Sequence, residues 1–315
     1  MEIHLPNKII IRDTTLREGL DVPGVERRMK KEQRLALAKK IYELGIREFD
    51  IVHPGRVNKD SIWLAQSLKG AFGSKIVVHG AVYAFNPLLE SEMRLIKNSV
   101  DELDLVMPVI VERPPYSYGE KIDSLTVALR YMKKSKVQAG VGFANSSQVN
   151  QRFLLRISRE AVMAGASKII IYDSIGKFDP WQTYQTVKKV KEVSKVPIIY
   201  HCHNDLGMAV ANSLFAVFAG AGYVDASING IGDRAGNAAL EQLAIIFYLK
   251  GIKTGINLKK IRDVSNLVER LTGVKKTAYA PIVGDRSVIF FHVSPKHKQS
   301  TKSFEIIQPE LLGEK

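Results

Sequence analysis

Short runs dominated by Ile, Val, Leu and other apolar residues recur along the chain at 8–12, 48–52, 75–82, 103–107, 137–143, 168–172, 197–201 and 223–227. Each is close to continuously apolar rather than alternating, the pattern of a strand covered on both faces, as in a parallel sheet. Between these runs the apolar spacing becomes helical. In 31–44, Leu35, Ala38, Ile41 and Tyr42 fall on one face and Gly45 supplies a stop. Stretches 58–68, 88–97, 124–135, 151–164, 180–193, 208–219 and 237–249 read the same way, with Asp179 as an N-cap before Pro180. Eight strand-then-helix units in about 250 residues match the count and size of a (β/α)8 TIM barrel. A doubly wound α/β sheet is the competing arrangement, but no glycine-rich nucleotide loop follows the first strand. After Lys250, 258–271 predicts one more helix. Residues 277–315, with Pro281, Gly284, Pro295, Pro309 and Gly313, read as a short C-terminal extension too irregular to bury its own core. The expected division is a barrel over 1–276 and an extension over 277–315, packed on its own barrel or on a second subunit.

Composition narrows the class. One Cys in 315 residues excludes a disulfide framework and a Cys-rich zinc module. A hydrophobic fraction of 45% excludes disorder as the main state. No apolar run approaches the roughly 18–20 residues of a membrane span, and the N-terminus lacks a basic segment followed by an apolar one. A cytoplasmic protein without a membrane partner is expected. The formal charge of +14 comes from Lys and Arg spread along the whole chain. Without zinc-finger, RRM or KH signatures, a nucleic-acid partner is not expected; anionic small substrates and a generally basic surface both account for the charge.

Barrel enzymes draw their chemistry from the C-terminal ends of the strands. Those ends carry Arg12-Asp13-Thr14-Thr15-Leu16-Arg17-Glu18, His53, His79 with Tyr83, Asp173-Ser174, His201-Cys202-His203-Asn204-Asp205 and Asn229-Gly230. His201 and His203, two apart on a strand, point to one side. They either ligate one metal or serve as hydrogen-bonded structural histidines. Asp13 or Glu18 can add the carboxylate of a two-His, one-carboxylate set. Cys202 between them is expected to face the opposite way, into the barrel wall. The turn Gly230-Ile231-Gly232-Asp233-Arg234-Ala235-Gly236-Asn237 is either a tight connection or a place where backbone approaches a ligand.

Three segments together resemble the DRE-TIM metallolyases: Asp13-Thr14-Thr15-Leu16-Arg17-Glu18-Gly19, His201-Cys202-His203-Asn204-Asp205 with Gly207, and Asn229 through Asn237. They are most similar to the Claisen-condensing branch of isopropylmalate, homocitrate and citramalate synthases, in order over about 300 residues. The resemblance implies a divalent metal (Mg, Mn or Zn) held by Glu18, His201, His203 and Asn237, Glu at this position being more like the homocitrate synthases. It implies that Arg17 stabilises charge on the reacting oxygen, that a 2-oxo acid and acetyl-CoA or a related acyl-CoA are the substrates, and that the product belongs to amino-acid biosynthesis. Ala280-Pro281-Ile282-Val283-Gly284 and the segment 304–313 are similar to the start of that branch's C-terminal subdomain. There a histidine is contributed across a homodimer, which makes His292 the candidate general acid/base. Pro295-Lys296 replace the usual Gly-Ile before His297.

The departures concentrate in the acceptor pocket. Leu20-Asp21 stand where a Gln is usual. Strand five reads Gly142-Phe143-Ala144-Asn145-Ser146-Ser147 in place of a run carrying a Glu and, in homocitrate synthases, an Arg. Asp21, His79 and Tyr83 become candidates to hold the acceptor, and Ser174 can donate to its carboxylate. A lyase or aldolase acting on a 3-hydroxyacyl-CoA or a 4-hydroxy-2-oxo acid and a non-catalytic paralogue are the alternatives. The loop after Gly232 lacks the reactive Cys of hydroxymethylglutaryl-CoA lyase, and metal-assisted oxygenase chemistry is a more distant option. No counterpart of the large feedback domain of isopropylmalate synthases is expected here, nor leucine-type inhibition through it.

Overall fold

A computed structural model describes residues 5–20, 22, 24–25, 29–85, 89–287 and 309–313. The chain forms a closed barrel of eight strands in sequence order: β1 (Ile10–Asp13), β2 (Glu48–Val52), β3 (Val77–Tyr83), β4 (Glu102–Pro108), β5 (Ala139–Ala144), β6 (Ile169–Asp173), β7 (Ile198–Cys202) and β8 (Tyr223–Ala226). Every neighbouring pair is parallel, and β1 closes on β8 with Arg12 opposite Asp225. The helices that return the chain are α1 (Lys31–Leu44), α2 (Lys59–Phe72), α3 (Leu89–Ile96), α4 (Tyr118–Lys134), α5 (Gln151–Met163), α6 (Pro180–Ser194), α7 (Ala209–Phe218) and α8 (Leu240–Leu249), with α9 (Ile261–Thr272) following. The TIM barrel read from the apolar runs is the fold observed.

The continuous apolar runs are explained by two-sided burial. Phe49, Val78, Leu103, Val141, Ile169, Ile198 and Val224 are fully enclosed in the layer between strands and helices. A smaller cluster of Ala81, Val106, Ile170, Tyr172 and Ile199 fills the barrel interior. Asp179 caps α6 by accepting the Gln182 N–H at 2.7 Å, with Pro180 in the first turn. Among the described residues no helix is long and apolar enough to cross a membrane.

Three helix starts differ from expectation by three residues or more: α9 begins at Ile261 rather than 258, after a 3-10 turn over Leu258–Lys260, and α4 and α8 differ for identifiable reasons. The periodicity placed the fourth helix at 124–135, but α4 begins at Tyr118. Ser117 accepts from Glu120 N at 3.2 Å while the Glu120 carboxylate accepts from Ser117 N at 3.0 Å, a reciprocal cap that pulls the start forward. Ser117→Ala is expected to cost about 1 kcal/mol, read as a lower urea midpoint. The eighth helix, expected from 237, starts at Leu240, because Asn237 is drawn into a bridge with His203. Of the described parts of the extension, the segment around 282–284 packs on α9, where Arg262 donates to the carbonyls of Ile282 and Gly284 at 3.1 and 3.2 Å, and Pro309–Leu312 packs on the turn Leu258–Lys260 before it; Val283 and Leu312 are buried.

Candidate active site

The turn after β1 brings the first motif over the barrel mouth. The Thr14 carbonyl accepts from the Arg17 and Glu18 N–H groups at 3.1 and 2.9 Å. Thr15 Oγ1 donates to Asp13 at 2.6 Å and accepts from Ile228 N at 2.8 Å, tying the turn to the loop after β8. Asp13 is thereby spent on the turn, and burial lifts its carboxyl to about 7. Arg17 and Glu18 remain, both nearly buried. Arg17 lies 2.9 Å from Asp50 and 3.0 Å from Glu18, contacts made by charge rather than by aligned hydrogen bonds.

His201 and His203 emerge on one side at the end of β7, their ring centroids 5.2 Å apart. Cys202 faces outward, buried beside Ala209 and Ser213. Glu18 Oε1 is 3.3 Å from His201 Nε2, and Oε2 is 3.8 Å from His203 Nε2. One donor atom from each of the three residues falls within 4.8 Å of the others. Asn237 Nδ2 donates to Glu18 Oε2 at 2.7 Å, leaving Asn237 Oδ1 buried without a hydrogen-bond partner.

This donor set fits a divalent cation. Asp225 Oδ2 lies 2.9 Å from His201 Nδ1, the outer contact that fixes which ring nitrogen is left for a metal. His201 Nε2 is then buried, has no hydrogen-bond partner and faces a carboxylate oxygen. A lone pair in that position calls for a positive charge between the two atoms. The same pressure acts on the protons. Burial alone would lower the His201 imidazole, but Glu18 and Asp225 carry it up to about 9. Burial alone would raise Glu18, yet His201 and Arg17 hold it well below the carboxylate range.

These residues open into a cavity of about 560 Å³. Arg17, Glu18, His201 and His203 line one side, and Tyr83 and Ser174 line it as well. Ser174 Oγ accepts from Asn145 N at 2.9 Å, so its own O–H is available to a ligand. His79 does not belong here. It is the third residue of the seven-residue β3, fully buried, and it pairs with Glu48 and with Glu102 at 3.4 Å in the lower half of the barrel. Tyr83, four residues further along the same inward face, is the β3 residue that reaches the cavity. Asp21 and His292 lie outside the described residues.

Among the lining residues, sequence reasoning passed over Tyr172 and Arg113, and it named Asn145 and Arg234 only as parts of motifs, without a role. Tyr172, at the end of a strand that was read, was the one most open to discovery. Its ring lies 4.9 Å from that of His201 and covers Gly142, where an added Cβ would run into it. Strand five is therefore small at this point because a phenol from β6 occupies the space. Gly142→Ala is expected to cost about 1–3 kcal/mol by overpacking, measured by chemical denaturation. Arg234 takes a left-handed backbone, donates to Asp205 at 2.7 Å and to the Ser174 carbonyl at 2.7 Å, and so braces the glycine-rich loop. In that loop Gly236 has φ +87 and packs against the Gly230 carbonyl where no Cβ fits.

A family model described as HMGL-like matches residues 8–268. The 2-isopropylmalate synthase of Methanocaldococcus jannaschii is 31% identical over 99% of this chain and 60% of its own length. The (R)-citramalate synthase of the same organism is 30% identical over 96% of this chain and 62% of its own length. The chain thus spans about three-fifths of the length of these relatives. Among solved structures, an HMG-CoA lyase from Brucella melitensis superposes with a TM-score of 0.71 at 15% identity, covering 85% of this chain and 99% of that one. The hydroxymethylglutaryl-CoA lyase of Pseudomonas aeruginosa gives 0.70 at 16% identity, over 86% and 95%. At these identities the lyases share the fold.

Proposed function

The chain belongs to the HMGL-like family, and from that premise we propose that it is a metal-dependent acyltransferase joining an acyl-CoA, acetyl-CoA in the first instance, to a 2-oxo acid. The observation that carries this reading is the convergence of Arg17, Glu18, His201 and His203 on one cavity. The alkylmalate synthases similar to nearly the whole chain support it.

Glu18, His201, His203 and Asn237 would hold a divalent ion, Mg²⁺, Mn²⁺ or Zn²⁺. When bound, such an ion acts as a Lewis acid and template for the adjacent oxygens of a 2-oxo acid. Arg17, fixed by Asp50, presents a guanidinium to the oxygen on which negative charge develops. The Ser174 hydroxyl donates to the acceptor carboxylate, and Tyr83, which lines the same cavity, packs against the acceptor. We assign Asp21 to the acceptor as well, and proton transfer to His292 across a homodimer. The extension from 277 is the segment that would carry that histidine to the partner.

The test is free-thiol release from acetyl-CoA with Mg²⁺ or Mn²⁺ and a panel of 2-oxo acids. Release that requires one oxo acid and is lost in Glu18→Ala supports the synthase and identifies its acceptor. Folded, metal-loaded protein that releases no thiol with any acceptor refutes it and directs the assay to the cleavage direction.

A further inference from the structure

Arg12 lies inside the barrel beneath the site, fully buried, and does not line the cavity. It is nevertheless joined to both halves of the site. Its Nε and Nη2 donate to the two oxygens of Asp225 at 2.7 and 2.8 Å, and its Nη1 donates to Asp104 at 2.7 Å. Its Nη2 is also 3.7 Å from Asp50 Oδ2. Asp225 is the carboxylate that orients His201, and Asp50 is the carboxylate that holds Arg17. One guanidinium therefore sets the positions of the two acids on which the metal-ligand histidine and the charge-stabilising arginine depend.

We propose that Arg12 is a positioning residue that fixes His201 and Arg17 relative to each other, through Asp225 and Asp50. The planar fork is what the arrangement needs. It meets three carboxylates from β2, β4 and β8 in different directions, which a single ammonium cannot reproduce. Charge agrees with geometry. Within this connected set two guanidiniums, Arg12 and Arg17, face four carboxylates, Glu18, Asp50, Asp104 and Asp225. With His201 neutral, as a ligand must be, a divalent cation beside Glu18 completes the balance, so the metal site and the buried network are parts of one structure. Uncompensated buried charge is costly enough that loosening Arg12 is felt at the mouth.

The inference rests on the metal-site part of the proposed function and not on the reaction assigned to it. It is tested on the full chain by titrating Mn²⁺ and following the free ion by electron paramagnetic resonance. Thermal unfolding is recorded with and without the ion. Arg12→Lys keeps the charge and loses the fork. The Arg12→Met, Asp104→Asn double variant removes one charge of each sign, so neither changes the net charge of the network. In each the Mn²⁺ Kd is expected to rise about 10-fold or more, as on loss of an outer-shell partner. In an Asp225→Asn background Arg12→Lys is expected to add less than about a further twofold, because both act along the same path. A folded variant with a Kd within twofold of wild type overturns the proposal, as does independent multiplication of the two effects. Failure of both variants to fold assigns Arg12 to the scaffold and overturns it equally. Because binding is read without turnover, wild-type protein that takes up Mn²⁺ yet releases no thiol refutes the condensing reading alone.

Discussion

His201→Ala is expected to abolish tight Mn²⁺ binding and to lower kcat/KM for the condensation by about 10³-fold or more, on the order of 4 kcal/mol of transition-state stabilisation. Two losses combine. One of three converging donors disappears from a set whose atoms lie within 4.8 Å of each other. Asp225 Oδ2, enclosed in the barrel, also loses its imidazole partner at 2.9 Å. The second loss leaves that oxygen its 2.8 Å bond from Arg12 Nη2 and adds a stability cost of about 1.5–3 kcal/mol, the net worth of one hydrogen bond to a charged group. The measurements are metal titration, thiol release and urea denaturation on the same preparation. His79→Ala is the control, since His79 is just as buried but pairs with Glu48 and Glu102 lower in the barrel. It is expected to leave the Mn²⁺ Kd within about threefold, because its ion-pair partners, Glu48 and Glu102, are neither metal ligands nor the carboxylates that hold His201 and Arg17. Mn²⁺ bound equally well by His201→Ala and wild type would remove the histidine pair from the metal site.

The contrast between the two histidines shows which parts of this site are written locally. His201 and His203 were legible because their spacing of two fixes a common side of a strand and their place at its C-terminal end fixes the level in the barrel. His79 was misplaced because a seven-residue strand has a bottom as well as a top, and the apolar run does not say where along it the rim lies. The strands themselves were legible from two-sided burial. The start of α4 was not, since the Ser117–Glu120 cap lies ahead of the first apolar repeat. The least visible feature was the set of Arg12, Asp50, Asp104 and Asp225. Asp104 and Asp225 are lone charges in apolar runs, Arg12 and Asp50 sit beside other charges that give no hint of a partner, and only barrel closure, which places Arg12 opposite Asp225 across 213 residues of chain, reveals the four as partners. Tyr172 belongs to the same class. A bulky residue on β6 and a glycine on β5 explain each other only when the strands lie side by side.

Arg17→Gln is expected to leave Mn²⁺ binding within a few-fold of wild type and to lower kcat by about 10²–10³, the usual loss when one preorganised group facing a developing negative charge is removed. The separation follows from geometry. Arg17 touches Glu18 at 3.0 Å through one nitrogen, but the histidines and Asn237 hold the same carboxylate independently. Removing the guanidinium therefore leaves the ligand set assembled while taking a positive charge from the cavity wall. Asp50 loses its 2.9 Å partner but retains Arg12, so the variant is expected to fold. Arg17→Lys discriminates further. A charge-only role predicts most of kcat restored, whereas a role needing guanidinium held by Asp50 while facing the substrate predicts recovery of less than about tenfold, because an ammonium lacks the fork. The acceptor KM should change less than kcat in both variants, since the interaction is made chiefly as charge develops. Equal losses in Mn²⁺ affinity and kcat for Arg17→Gln would instead make Arg17 a structural support of Glu18 and return the charge-stabilising role to the metal alone.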